Sequence, residues 1–157
     1  VLDRVAAEAK WSVPMEAGRG RGISLQESFG SIVGQVVEVT VSGGKIWVDR
    51  VVAVIDAGYA VSPDGMKAQI ESGIIYGLSA AMYGDITIEN GAVAQNSFAT
   101  YDAIRMHDAP AIETHIINSG AEDLLFFGRD SCISFDQRSQ HATFGFDTKG
   151  QWCNVQK

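Results

Sequence analysis

The side chains in this sequence with the chemistry for a site are set apart by their spacing. The three histidines, His107, His115 and His141, lie in three different segments without an HExxH pairing, and Cys132 and Cys153 form no CxxC. Zinc would need ligands gathered from distant loops, so no metal site is expected. Nucleophilic catalysis requires an activated serine or cysteine beside a base and its orienter, and no GxSxG elbow is present. No catalytic residue is therefore assigned. The carboxylates Asp56, Asp64, Glu71 and Asp85 fall near loop or helix ends, where capping and solvation are their expected roles. Gly18, Gly20 and Gly22 alternate with Arg19 and Arg21. That run could cradle an anion, but it matches neither GxxxxGK[ST] nor GxGxxG, and it reads as a flexible loop.

The most informative set lies on a helix. From Asp64 to Met82 the pattern is helical, with Ser62 or Asp64 as cap. Ile70, Ile74 and Leu78 make an apolar stripe, while Gln69, Gly73, Gly77 and Ala80 or Ala81 make a second face of small residues. Each interior glycine costs about 1 kcal/mol relative to alanine, so a pair four apart implies close approach of something to the helix. That something is either a neighbouring element or a ligand.

The elements around this helix follow from pattern. Val1 to Trp11 reads as a short amphipathic helix with Leu2, Val5, Ala6 and Ala9 on one face, ended by Pro14. Gly34 to Asp56 reads as a hairpin: Val37, Val39 and Val41 alternate, Ser42-Gly43-Gly44 turns, and Ile46, Val48, Val51, Ala53 and Ile55 return. The alternation slips at Asp49 and Arg50, which predicts a bulge. A second hairpin is signalled by Ile86, Ile88, Asn90-Gly91, Val93 and Phe98, and a last strand by Ile112 to Ile117. The fold class is thus α+β, with two β-hairpins and a lone strand packed on one main helix. Residues 1–120 form one unit. Residues 121–157 differ in character, with no sustained period after the apolar run Leu124 to Phe127.

Composition bounds the function classes. The 157 residues are 46% hydrophobic and carry a net charge of −7, enough chain to bury roughly two-thirds of its unfolded surface. The acidic balance argues against nucleic acid as a partner, because phosphate binding needs clustered Lys and Arg. No apolar run reaches the ~18 residues of a membrane span. The chain opens on Val1 within a helical pattern, so sequence is expected upstream. A soluble protein of the cytoplasm or periplasm is expected, with nothing to choose between the compartments.

Gly20 to Ser119 resembles the C-terminal part of the molybdenum hydroxylase large subunit, in the xanthine dehydrogenase and aldehyde oxidase superfamily, and is most similar there to the isoquinoline 1-oxidoreductase beta subunit. The resemblance rests on an ordered series: a hairpin, then D-x-G-x-x-x-x-P from Asp56 to Pro63, A-Q-x-E-x-G-x-x-x-G-L from Ala68 to Leu78, Y-G-[DE]-I from Tyr83 to Ile86, and F-x-x-Y-x-x-x-R-M from Phe98 to Met106. It implies a parent enzyme that holds molybdenum on a pterin and hydroxylates an aldehyde or N-heterocycle with oxygen from water. It also implies a glutamate as general base and electrons leaving through an iron–sulfur small subunit. The fold implied is part of a molybdopterin-binding domain. Gln69 matches the glutamine whose amide approaches the pterin in relatives, an apt group because it offers donor and acceptor together. Gly73 and Gly77 match the glycines that follow, and the resemblance adds room for the cofactor to the packing role.

The departure from the family comes late. Where relatives carry a G-x-G-E motif with the catalytic glutamate, this sequence reads Phe126-Phe127-Gly128-Arg129-Asp130-Ser131. Asp130 is the nearest carboxylate but lacks the flanking glycines. Residues 122 to 157 look foreign to the family, as a reading-frame change, a recombined gene or a vector-derived tail would make them. Accordingly the chain reads as a fragment or remnant, inactive by itself and binding no molybdopterin alone. Its implied partners are the remainder of the large subunit and the small subunit. The alternative is a stand-alone binding or structural module without chemistry, and the isolated chain is expected to self-associate as a homo-oligomer through exposed apolar surface.

Overall fold

The computed structural model describes residues 1–28 and 30–120, and further on the strands Thr143–Phe146 and Trp152–Val155. Helix α1 is Leu2–Glu8, followed by β1 (Arg19–Ser28), β2 (Ser31–Ser42) and β3 (Lys45–Asp56). Helix α2 runs Pro63–Tyr83; β4 (Ile88–Glu89), β5 (Ala92–Val93) and β6 (Ala111–Ile117) follow. The last two strands, β7 (Thr143–Phe146) and β8 (Trp152–Val155), pair antiparallel with each other.

The main sheet has the order β1-β2-β3-β6. β1, β2 and β3 form an antiparallel meander, and β6 lies parallel to β3 with α2 as the connection. This corrects two expectations. The Gly18–Gly22 run begins strand β1, whose Arg19 to Ser28 pair residue by residue with Thr40 to Ser31. Glycine's poor strand preference is overridden by ten consecutive pairings that no local pattern reveals. The strand at Ile112 to Ile117 is not alone either; it is the fourth strand of the sheet, in register from Arg50–Ala111 to Asp56–Ile117.

The central hairpin is as its pattern predicts. Gly43 and Gly44 turn it with φ of 59° and 76°, the left-handed pair of a two-residue turn that side chains resist. Glu38 faces Arg50 while Val39 faces Val48, leaving Asp49 as the bulged residue. Its carboxylate accepts from Thr40 Oγ1 at 2.6 Å and Arg19 Nη2 at 3.2 Å. In the small hairpin, Asn90 and Gly91 take φ of 51° and 81°, although each strand has only two residues and Phe98 lies outside them, exposed.

β3 is buried on both sides, from Val51 through Ile55 without solvent exposure. Alternate residues serve opposite helices. Val51, Ala53 and Ile55 join Val33 against Met66, Ile70 and Ile74 of α2, while Val52 and Val54 join Val36 against Val5 and Ala9 of the α1 segment. Each such buried Val or Ile side chain contributes about 1.5–3 kcal/mol of transfer free energy. Gly34 lets α1 lie close, since a Cβ there would stand 3.0 Å from a Val1 methyl and 3.1 Å from a Val5 methyl.

Candidate functional site

The ends of the parallel pair β3 and β6 place the start of α2. Ligands of open α/β sheets bind outside the carboxyl ends of such strands, where a following helix begins. Here the β3–α2 loop is tied down on both sides. Asp56 Oδ1 accepts from Gly58 N at 3.1 Å and from Ser119 Oγ at 2.8 Å. Ala60 N donates to Asn118 Oδ1 at 3.3 Å. Gly58, at φ 78°, supplies the positive-φ step. Pro63 opens α2 and Ser62 is its N-cap, making the cap through its backbone oxygen to Met66 N at 2.9 Å and without a side-chain bond. Tyr59 and Val61 on this loop are exposed.

Along α2 the expected small face is divided. Met66, Ile70, Ile74 and Gly77 are buried, Gly73 is half-buried, and Gln69, Ala80 and Ala81 are exposed. At 100° per residue Gly77 falls between Ile70 and Met66 on the buried stripe of the helix. Gln69 and Gly73 share the outer shoulder. Gln69 offers there an exposed amide, with both acceptor and donors, beside Gly73, which has no side chain.

A separate open groove of about 540 Å³ lies on the other flank of α2, lined by Ala68, Glu71, Ser72, Ile75, Ala109, Pro110 and Ile112. It contains none of the three expected site residues. Ile104 N donates to Ser79 Oγ at 3.2 Å, which holds the Ile104 segment to the later part of α2.

The α1 side of the sheet carries a charge chain that sequence reading missed. Arg21 lies 3.9 Å from Glu38, Glu38 lies 3.7 Å from Arg50, and Arg50 grips Glu113 through two bonds of 2.8 Å. One residue comes from each of the four strands. Arg21 Nη1 also donates to the Ala9 and Lys10 carbonyls at 3.1 and 2.6 Å, a positive group at the carbonyl-rich end of α1. The hydrogen bond from Arg50, more than its charge, holds the Glu113 carboxyl below the usual carboxylate range, and that bond also raises Arg50 above its ordinary value. His115 Nδ1 stands 3.9 Å from Glu8, and its Nε2 is buried without a partner. The only local signal was the Gly-Arg alternation, which became informative once β1 was seen to pair with β2.

Among the described residues no three His, Cys, Asp or Glu gather as a metal site, and no helix is long and apolar enough to cross a membrane. The sequence readings at Phe126–Ser131, Asp130, Cys132 and His141 lie outside the described residues; Cys153 falls in β8.

A family model described as molybdopterin cofactor-binding domain matches residues 3–110, and a second, described as NAD-specific glutamate dehydrogenase, matches residues 88–157. The chain is 30% identical over 124 residues to isoquinoline 1-oxidoreductase subunit beta of Brevundimonas diminuta. It is 28% identical over 127 residues to a membrane-bound aldehyde dehydrogenase [pyrroloquinoline-quinone] of Gluconacetobacter polyoxogenes. Each match covers 76% of this chain and 16% of the relative, so the chain spans about a sixth of their length. Among solved structures, quinoline 2-oxidoreductase from Pseudomonas putida 86 aligns at a TM-score of 0.49 and 20% identity, over 57% of this chain and 12% of that one.

Proposed function

The chain belongs to the molybdopterin cofactor-binding domain family, and we propose that it is a piece of a molybdenum hydroxylase large subunit whose α2 shoulder meets the pterin. The observation that carries this is the family match over residues 3–110, which spans α2 and includes the exposed Gln69. When bound, the cofactor supplies the redox chemistry of hydroxylation. This chain's share is positional. Gln69 offers its amide to the pterin edge, Gly73 lets the ring approach, and Gly77 keeps α2 against the sheet so that the shoulder holds its place. The loop clasp at Asp56, Asn118 and Ser119 fixes where the helix starts.

The parent oxidises an aldehyde or an N-heterocycle, substrate classes that agree with the names of both relatives. The remainder of the large subunit and an iron–sulfur small subunit complete it. Residues 1–120 form the domain and residues 121–157 a tail unlike it, a reading that the first family match, ending at residue 110, supports. The second match, over residues 88–157, runs across that boundary and assigns no activity. Because the tail replaces the segment with the expected glutamate, the chain alone neither retains cofactor nor turns over substrate.

The test is a graft in which residues 3–110 replace the corresponding segment of the isoquinoline 1-oxidoreductase beta subunit. Molybdenum and pterin content are then measured beside the isolated chain. A folded graft with near-stoichiometric molybdenum, reduced at least several-fold by Gln69→Ala, supports the proposal. A folded graft without cofactor overturns it, and oxidation of isoquinoline or an aldehyde by the isolated chain overturns the reading of inactivity.

A further inference from the structure

Among the described residues the strand order leaves β6 as an edge of the main sheet, paired on one side with β3. It contains no proline, bulge or lysine, the usual devices that blunt an edge. Its sequence, Ala-Ile-Glu-Thr-His-Ile-Ile, is complementary to its own reverse about Thr114. Placed antiparallel to a second copy, Ile112 faces Ile116, Glu113 faces His115 and Ala111 faces Ile117, each pair occurring twice. We infer that β6 is a self-pairing edge that joins two copies of this chain into one continuous eight-stranded sheet across a twofold axis at Thr114.

The register is selected by the two faces. Ile112 and Ile116 belong to the α2 side, where they pack on the apolar cluster, and Ile117 belongs to the α1 side. Pairing centred on Thr114 keeps like sides together and extends each cluster into the partner copy. A slip of one residue would set Glu113 against the apolar side of the other copy. A slip of two loses two of the seven residue pairings and sets Glu113 opposite the other copy's Glu113 or Ile117. Only the Thr114-centred register keeps all seven and places each carboxylate across from an imidazole, the arrangement that favours cross-strand pairing. The Glu113 side chain, held by Arg50, is about half exposed, and that of His115, whose Nε2 is buried, about one-third.

The full chain is examined by sedimentation velocity between about 5 and 200 μM. A dimer is expected. His115→Glu, which sets like charges opposite each other twice, should weaken association at least tenfold, and the Glu113→Lys/His115→Glu exchange should restore most of it. Circular dichroism checks folding. Because His115 also neighbours Glu8, a second readout uses Thr114→Cys with Cys132 and Cys153 replaced by serine. Mild oxidation should cross-link it rapidly, since central Cα atoms of such a pair lie about 4.5–5.5 Å apart, while Ser42→Cys at the hairpin tip should not respond. A monomer throughout, or a dimer indifferent to the charge exchange with no preferential Thr114→Cys cross-link, overturns the inference.

Discussion

The two faces of the main sheet are built by the same strands and behave as different materials. Toward α2 the contact is apolar, with Val33, Val51, Ala53 and Ile55 against Met66, Ile70 and Ile74. Toward α1 a smaller apolar patch, Val36, Val52 and Val54 with Val5 and Ala9, is bordered by the Arg21–Glu38–Arg50–Glu113 chain. The dry face carries the helix that presents Gln69, so the candidate site rests on an apolar contact, with the polar clasp at Asp56, Asn118 and Ser119 fixing where that helix starts. The charged face holds a two-turn helix through a glycine gap and a shared arginine. Disturbing the first should unfold the domain; disturbing the second should loosen α1 first.

The largest effect is expected at Ile55→Ala. This side chain is fully buried in the centre of the dry face, and its loss should cost about 2–5 kcal/mol in urea unfolding. Next comes Glu38→Ala, which leaves Arg21 and Arg50 facing each other around an emptied site. With its side chain 11% exposed, Glu38 should cost about 1–3 kcal/mol, below the range for a fully buried pair. A smaller loss, about 1–2 kcal/mol, is expected for Gly34→Ala, because the new methyl must push back Val1 and Val5. Trp11 fluorescence and early proteolysis of residues 1–11 should report that change before global unfolding does. Equal local and global responses in all three variants would erase the distinction between the faces.

The smallest effect is a pH dependence confined to the charged face. The folded Glu113 carboxyl is held below its ordinary value by Arg50. Its stabilisation is therefore complete above the unfolded carboxylate value and lost as pH falls through the lower folded value. Glu113→Gln should flatten that acid limb of the stability curve. An unchanged limb would remove this pair from the account.

Legibility in sequence divided along the same line. The dry face was readable because its partners repeat locally: alternation in β3 and the Ile70, Ile74, Leu78 stripe of α2 each announce a buried side. The Gly43-Gly44 turn, the bulge at Asp49 and the Asn90-Gly91 turn were readable for the same reason. The charged face was not, because its four residues come from four strands and each looks solvated within its own segment. β1 was lost for want of apolar alternation, and β6 was found but not its parallel partner, since pairing across α2 leaves no local mark. The candidate site was legible as residue types only. That Gln69 lies open while Gly77 is enclosed depends on which side of α2 the sheet occupies.

The central claim is that the outer shoulder of α2 is a pterin-facing surface. Molybdenum and pterin content of the folded 3–110 graft, with and without Gln69→Ala, tests it most directly. The account expects near-stoichiometric cofactor in the graft and a several-fold loss on substitution; a folded graft whose cofactor content ignores Gln69, or that holds none, would contradict it.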